Sequence, residues 1–417
     1  MKKRTIHTTI TIAVIMIMQS GFAQTTWTSQ NSGVTDTLRA VTFLDGNNGY
    51  VGGNNGTILK TTDGGTTWTD VSLSSTNPVN SLSFINTTTG WACTGDVDSS
   101  GSTGEIWATT DGGANWTQQS NTPSTEARLG ISFIDASNGW VSGSKNGPME
   151  VWNTTDGGAN YSTQGNGNIF GWMYDIEALD ANNVWTVGGT FFPSVSGLVV
   201  SSSDGGATWT DITSGTPPFL YAIDMVDASN VFVAGDAGTI LSTTDGGSNW
   251  NTLTSGTTEI LWGISFAYLT YGLACGENGA MVSTTDGSTW NSENTGNSES
   301  YYGVYMIDSI TAWAVGSNGT IIKRIFGTGF EDQQINKPTV KVFPNPFSKQ
   351  ASITVENAIT KGNLTFTLFD ALGNKVLQNT ITGQNFTLNG AELSKGIYHY
   401  TLTGNNQNPV FGKLIIQ

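Results

Sequence analysis

Histidine is almost missing from this 417-residue chain: His7 lies near the start, His399 near the end, and none between. The long middle region therefore cannot run Ser-His-Asp chemistry, use a histidine general base or hold zinc through imidazole. Cysteine is equally scarce, with Cys93 and Cys275 at matching places in two non-neighbouring repeats ("GWACTG" and "YGLACG"). A bridge between them is not expected; two buried free thiols are. Cations are few as well. Residues 24–330 carry 27 Asp and Glu against six Lys and Arg (Arg39, Lys60, Arg128, Lys145, Lys323, Arg324), a formal −21. Such a surface repels phosphate backbones, which argues against nucleic acid as a partner, and suits solubility outside a cell. No apolar run after residue 23 approaches the roughly 18 residues of a spanning helix. Neither a P-loop nor a Rossmann fingerprint occurs, so no cofactor is expected. The oxygen-rich "GDVDSSGSTGE" (95–105) lacks EF-hand spacing and reads as a long hairpin loop, leaving no metal site.

Where cations do cluster, they mark processing. Lys2, Lys3 and Arg4 precede an apolar stretch, and "SGFAQ" offers a cut between Ala23 and Gln24. Residues 1–23 thus read as a secretory signal peptide.

What is abundant is a repeat. "TTDGGTTW" (61–68) returns as "TTDGGANW" (109–116), "TTDGGANY" (154–161), "SSDGGATW" (202–209), "TTDGGSNW" (243–250) and "TTDGSTW" (284–290). The acidic positions Asp63, Asp111, Asp156, Asp204, Asp245 and Asp286 are 48, 45, 48, 41 and 41 residues apart. Each unit holds an alternating apolar run, a Gly/Asn turn, two further short strands, the acidic octet and a strand opening at its aromatic. Val, Ile, Thr and aromatics without helical period predict four strands per unit and an all-β propeller. After the sixth octet a further opening (301–326) has three strands and no octet, while "TTWTSQNSG" (25–33) resembles the strand that follows one. Trp27 precedes Trp68 by 41 residues, one blade length. The expectation is seven blades over 24–330, the last completed by the N-terminal strand, which removes the open edge. Within each octet the Asp should accept backbone N–H groups two or three residues on, with glycines at positive φ. Six copies around a ring cannot converge on one substrate, so these aspartates are structural.

These octets resemble Asp-box repeats (bacterial neuraminidase repeats), found in sialidases, xyloglucanases, sortilin-type receptors and photosystem II stability/assembly factor-like propellers. The unit "GYVGGNNGTILKTTDGGTTW" (49–68) is most similar to the last, a family that is non-catalytic and binds proteins. After a polar linker (331–339), residues 340–417 show period-2 strands with turns at "ALGN" and "TGNN", which predict a small β-sandwich. "FPNP" (343–346), "LFDALGNKV" (368–376), "KGIYHYTL" (395–402) and "GKLIIQ" (412–417) resemble the type IX secretion system C-terminal sorting domain (type A) of Bacteroidetes. That resemblance implies handling by the type IX machinery, export across the outer membrane and attachment at the cell surface.

Ligand-binding candidates lie where each blade's innermost strand begins, on the face opposite the octets: Arg39, Asn80, Leu129, Tyr174, Tyr221, Trp262 and Tyr302, with Arg128 one residue before its register. Four aromatics and up to two arginines could stack on sugars or grip a peptide; the alternative is that they wedge between blades. The resulting expectation is an exported monomeric propeller, not an enzyme, that binds a surface protein or glycan. A glycoside hydrolase is the other reading. A sialidase would need an arginine triad, and beyond the signal peptide only Arg39, Arg128 and Arg324 exist, the last on an outer strand. Asp175, Glu177 and Asp224 on inner strands could furnish a carboxylate pair, but xyloglucanases of this type use a cleft between two propellers.

Overall fold

The computed structural model describes residues 25–416 except 97–103, 120–126, 144–147, 192–193, 214, 216, 327–338, 357–363, 371–374, 382–384, 392 and 405–406. The segment expected to be a signal peptide, with Ala23 and Gln24, nearly all of the linker, and most of the 95–105 loop lie outside the described residues. Two compact units divide the chain, the first ending at Gly327 and the second beginning at Thr328.

Seven four-stranded antiparallel sheets fill the first unit. Blades 1 to 6 span residues 38–70, 79–118, 128–170, 172–211, 220–254 and 261–292. Blade 7 takes three strands from 301–326 and its fourth from Thr25–Gln30, which pairs antiparallel with Ile321–Phe326 in the register Trp27 to Arg324. Each inner strand packs on the next in cyclic order, and that of blade 7 packs on that of blade 1, so the ring closes. Trp27 is half-buried; its indole donates to Glu293 Oε2 (2.7 Å), and Arg324 forms an ion pair with Glu293. With side chains 6% and 11% exposed, that pair is an interior one and holds the seam of the ring.

The hydrophobic core lies between blades rather than within them. Leu38, Val51 and Leu59 of blade 1 meet Val315 and Ile321 of blade 7. An aromatic on a second strand stacks on the phenylalanine ending the next inner strand: Tyr50 on Phe84 (3.7 Å), Trp91 on Phe133 (3.7 Å), Phe232 on Phe266 (3.8 Å) and, across the seam, Trp313 on Phe43 (3.5 Å). The stacked faces are thus buried across the blade boundary, while Phe43, Phe84 and Phe266 also meet the octet tryptophan of their own blade edge-on, so each blade depends on its neighbour for burial.

Every acidic octet is a closed clip. The Thr61 hydroxyl donates to Asp63 Oδ1 (2.9 Å) and accepts from the Gly65 N–H (2.8 Å). Asp63 Oδ1 also accepts from the Thr67 N–H (2.9 Å), and Oδ2 from the Thr67 hydroxyl (2.6 Å). The reach is four residues rather than the expected two or three. Gly64 and Gly65, at φ +71° and +88°, turn a full loop before Thr67, and a Cβ on either would strike Gly46 O or the Gln30 side chain. Only the shortened sixth clip shows the smaller reach, Asp286 accepting from Ser288 and Thr289. The octet aromatic more often precedes the fourth strand than opens it; in blades 1, 2 and 4 that strand is two residues long.

The clips also bind blade to blade. The Trp91 indole donates to Gly157 O (3.0 Å), Trp140 to Gly205 O (3.0 Å) and Trp313 to Gly64 O (3.2 Å), each reaching into the following blade's octet. At the seam, Gln30 and Lys323 donate to that same Gly64 carbonyl. Blade 7 lacks an octet, and the N-terminal strand takes over its closure.

The second unit is a sandwich of a three-stranded and a four-stranded antiparallel sheet. Ile353, Val355 and Leu388 of one sheet pack on Phe366, Leu368 and Leu414 of the other. Asn345 braces the last strand, its amide donating to Lys413 O and its carbonyl accepting from Ile415 N–H. Cys93 and Cys275 are buried and free. No helix among the described residues is long and apolar enough to cross a membrane.

Candidate functional site at the channel mouth

The first strand of every blade carries a bulge at the same place near its start, and that of blade 6 has a second between Phe266 and Tyr268. Pairing skips Arg39, Asn80, Leu129, Tyr174, Tyr221, Trp262 and Tyr302. A bulged residue leaves the ladder and its side chain is re-aimed. All seven line one cavity of about 260 Å³ at the mouth of the central channel. The seven positions read from the repeat register are thus brought together by a repeated backbone irregularity that no residue type announces.

Arg128 is not among them. Its side chain is fully buried, the guanidinium 3.9 Å from the ring centroid of Trp152, so it packs inside blade 3 and drops out as a mouth residue. One step along the strand reverses the side of the sheet, which is why residue 128 turns inward and residue 129 does not.

Two halves of the mouth differ. Blades 4 to 7 present four half-buried aromatics in an arc: Tyr174 edge-on to Tyr221 (4.9 Å between centroids), Tyr221 to Trp262 (4.3 Å), Trp262 to Tyr302 (6.0 Å). Phe219 and the half-exposed Phe191 continue it outward to Trp172. Blades 1 to 3 present Arg39, Asn80 and Leu129. Arg39 Nε donates to Asn54 Oδ1 (2.7 Å), and Asn80 bridges to the carbonyls of Gly95 and Arg128. Burial, with Asp236 next in weight, raises the Tyr221 phenol well above its usual range; burial likewise raises Asp236, opposed by its hydrogen bond with Tyr221. The Trp262 indole N–H is buried and donates to no acceptor among the described residues.

Asp175 lines the same cavity, and Glu177 and Asp224 follow on the inner strands of blades 4 and 5. They keep some surface in the narrow lumen, yet protein crowds them on every side. Each accepts a backbone N–H from the next blade: Asp175 from Ile223 (3.1 Å), Glu177 from Met225 (2.7 Å), Asp224 from Phe266 (3.0 Å). In other blades serine does the same work as Glu177 and Asp224, with Ser83 accepting from Phe133, Ser132 from Ala178 and Ser265 from Met306. Burial pushes Asp175 up to about 6 and Asp224 up to about 7, and burial followed by the nearby Asp224 raises Glu177 well above its usual range. The octet aspartates are the opposite case: hydrogen bonds, that of the Thr67 side chain first, hold the exposed Asp63 down at about 2. Among the described residues no cluster of His, Cys, Asp or Glu is placed to hold a metal ion.

The sequence reading missed the residues behind the arc. Asp236 and Glu277 follow Tyr221 and Trp262 by fifteen residues, as Asn54 follows Arg39, each opening a short turn after the second strand. That constant offset was visible in the repeat, but its meaning depends on the hairpin register.

Fold and clips together define an Asp-box seven-bladed propeller carrying an export domain. Residues 19–120 and 116–265, more than half of the chain, match the profile of the photosynthesis system II assembly factor YCF48, and the chain belongs to that family. Residues 341–417 match the secretion system C-terminal sorting domain, which marks the protein for type IX export across the outer membrane to the cell surface. Among solved structures it is similar to YCF48 bound to D1 peptide (20% identity, TM-score 0.57, 72% of this chain and 96% of that one). It is also similar to YCF48 from Cyanidioschyzon merolae (17%, 0.57, 72% and 98%) and to a GH74 enzyme from Niastella koreensis (13%, 0.57, 91% and 74%). At these identities the structures share the fold alone. No match was found among curated proteins.

Proposed function

We propose that the protein is a non-catalytic binding propeller, displayed at the cell surface, that grips a protein segment in its channel mouth. The aromatic arc on four consecutive blades carries the reading: half-buried rings lining a small cavity give large contact area with little side-chain entropy to lose. Two points support it. The inner carboxylates that hydrolysis would need are engaged as blade-to-blade acceptors, a task serine performs elsewhere in the ring. A propeller of the same family carries a peptide. The test is capture from the surface extract of the producing bacterium by the mature full-length chain and by its Trp262→Ala, Tyr302→Ala variant. A protein retained by the first and lost from the second supports the proposal; equal retention, or a retained polysaccharide, counts against it.

A second reading, glycoside hydrolysis, draws on Asp175 and Asp224, whose raised values of about 6 and about 7 fall where a general acid works. Turnover of any member of a broad glycan panel, abolished by Asp224→Asn, would replace the binding proposal with this one.

A further inference from the structure

The mouth is acidic on balance, with Arg39 of blade 1 set against Asp96 of blade 2 and Asp175 of blade 4 in the cavity lining, and that balance singles out one kind of ligand group. On blade 1 the bulged residue is a cation, Arg39, held by the neutral Asn54. Across the channel, blades 5 and 6 place aromatic rings at the same position and carboxylates at the turn residue fifteen places on, Asp236 behind Tyr221 and Glu277 behind Trp262. Asp236 shares a hydrogen bond with the Tyr221 phenol, and Glu277 lies near enough to oppose that phenol's ionisation. The Tyr221 and Trp262 rings are tilted by 45° with centroids 4.3 Å apart, and Tyr174 closes the third side at 89° to Tyr221. Ring faces carry negative charge density, and a ring cluster with carboxylates at its edge attracts a cation and discriminates against an anion. The surrounding domain, at −21, favours the same sign of partner at long range.

We propose that this half of the mouth seats a lysine or arginine side chain of the bound protein segment against Tyr221 and Trp262, with Asp236 and Glu277 behind the rings. The inference rests on the binding proposal above and names the chemistry of its partner. Arg39 keeps the basic side chain over blades 5 and 6, and carbonyls of the same segment face blade 1, where Asp96 of the adjoining blade 2 lines the cavity and disfavours an acidic group. A cavity of about 260 Å³ has room for one such side chain rather than for a folded element.

The probes are short extended peptides of Gly, Ser and Thr, blocked at both ends, identical except for a central Lys, Arg, norleucine, Gln or Glu. Binding to the mature full-length protein is read by ligand-observed NMR, which detects millimolar affinity, at low and high salt. The Lys and Arg peptides should bind about tenfold more tightly than the norleucine and Gln peptides and fade with salt, with the Glu peptide weakest. Glu277→Gln and Asp236→Asn, which keep an oxygen in place, should each weaken the Lys peptide about threefold and leave norleucine unchanged. Trp262→Ala should erase the preference, and Trp262→Phe should retain part of it. Equal binding of norleucine or Glu, a preference that survives these changes, or no binding by any peptide overturns the assignment. If the surface capture nevertheless succeeds and depends on Trp262 and Tyr302, only the cation seat falls; if capture fails, the binding proposal falls with it.

Discussion

The two faces of the propeller use one repeat in opposite ways. At the clip face, five octets and one shortened copy carry the same Asp-centred chemistry, and each Asp, though exposed, accepts from the clip's own N–H and hydroxyl groups. At the mouth face, seven identical bulges carry Arg, Asn, Leu, Tyr, Tyr, Trp and Tyr. Repetition of a side chain together with its partners is what a frame requires; repetition of a backbone position with changing side chains is what recognition permits. The difference separates carpentry from contact without appeal to any relative.

Breaking the frame should cost most where one contact replaces a missing clip. Glu293→Ala strands the buried Arg324 and the Trp27 indole, and should lower stability in urea unfolding by about 3–5 kcal/mol. A change below 1 kcal/mol would mean that the N-terminal strand does not hold the ring shut.

Within a clip, the buried threonine matters more than the exposed acid. Thr61→Val leaves Gly65 N–H without its acceptor and should cost about 1–3 kcal/mol, and Thr243→Val about the same, because the clips are equivalent. The Asp63 carboxyl is depressed to about 2, so its stabilising effect is complete above the unfolded value near 3.8 and is lost as pH falls through about 2. Asp63→Asn should therefore flatten the acid limb of the stability profile; an unchanged limb would detach the clip from acid unfolding.

The channel carboxylates work with the opposite sign. Asp224 is raised to about 7, so the native state holds a proton the unfolded chain releases near 3.8, and stability declines as pH rises from about 4 to 7. Asp224→Asn keeps an oxygen for the Phe266 N–H and should raise Tm at pH 8 by about 3 °C while leaving pH 4 nearly unchanged. A lower Tm at pH 8 would show that the charge itself is needed in the channel.

Smallest in stability should be the mouth. Trp262→Ala with Tyr302→Ala should shift Tm by only a few degrees while removing ligand capture. A large drop would instead make these rings wedges between blades.

Much of this frame was legible because the octets recur at blade length and each needs only local residues to close. Trp27 was placed at the seam by the same spacing, and its register opposite Arg324 follows. The mouth positions were legible as a register, but Arg128 was not separable from Leu129 by residue type; the bulge decided which one faces the channel. Likewise Asp175, Glu177 and Asp224 looked available in sequence, and only the next blade's backbone N–H groups show them engaged.

By itself, then, the sequence determined blade number, strand order, the clips and the export domain, since all of these rest on spacing and on contacts within a few residues. Tertiary structure decided which side chains share the mouth, which acids keep their protons and where positive and negative charge face one another. Those properties depend on distances between blades some 40 residues apart in the chain, and ring closure alone sets such distances.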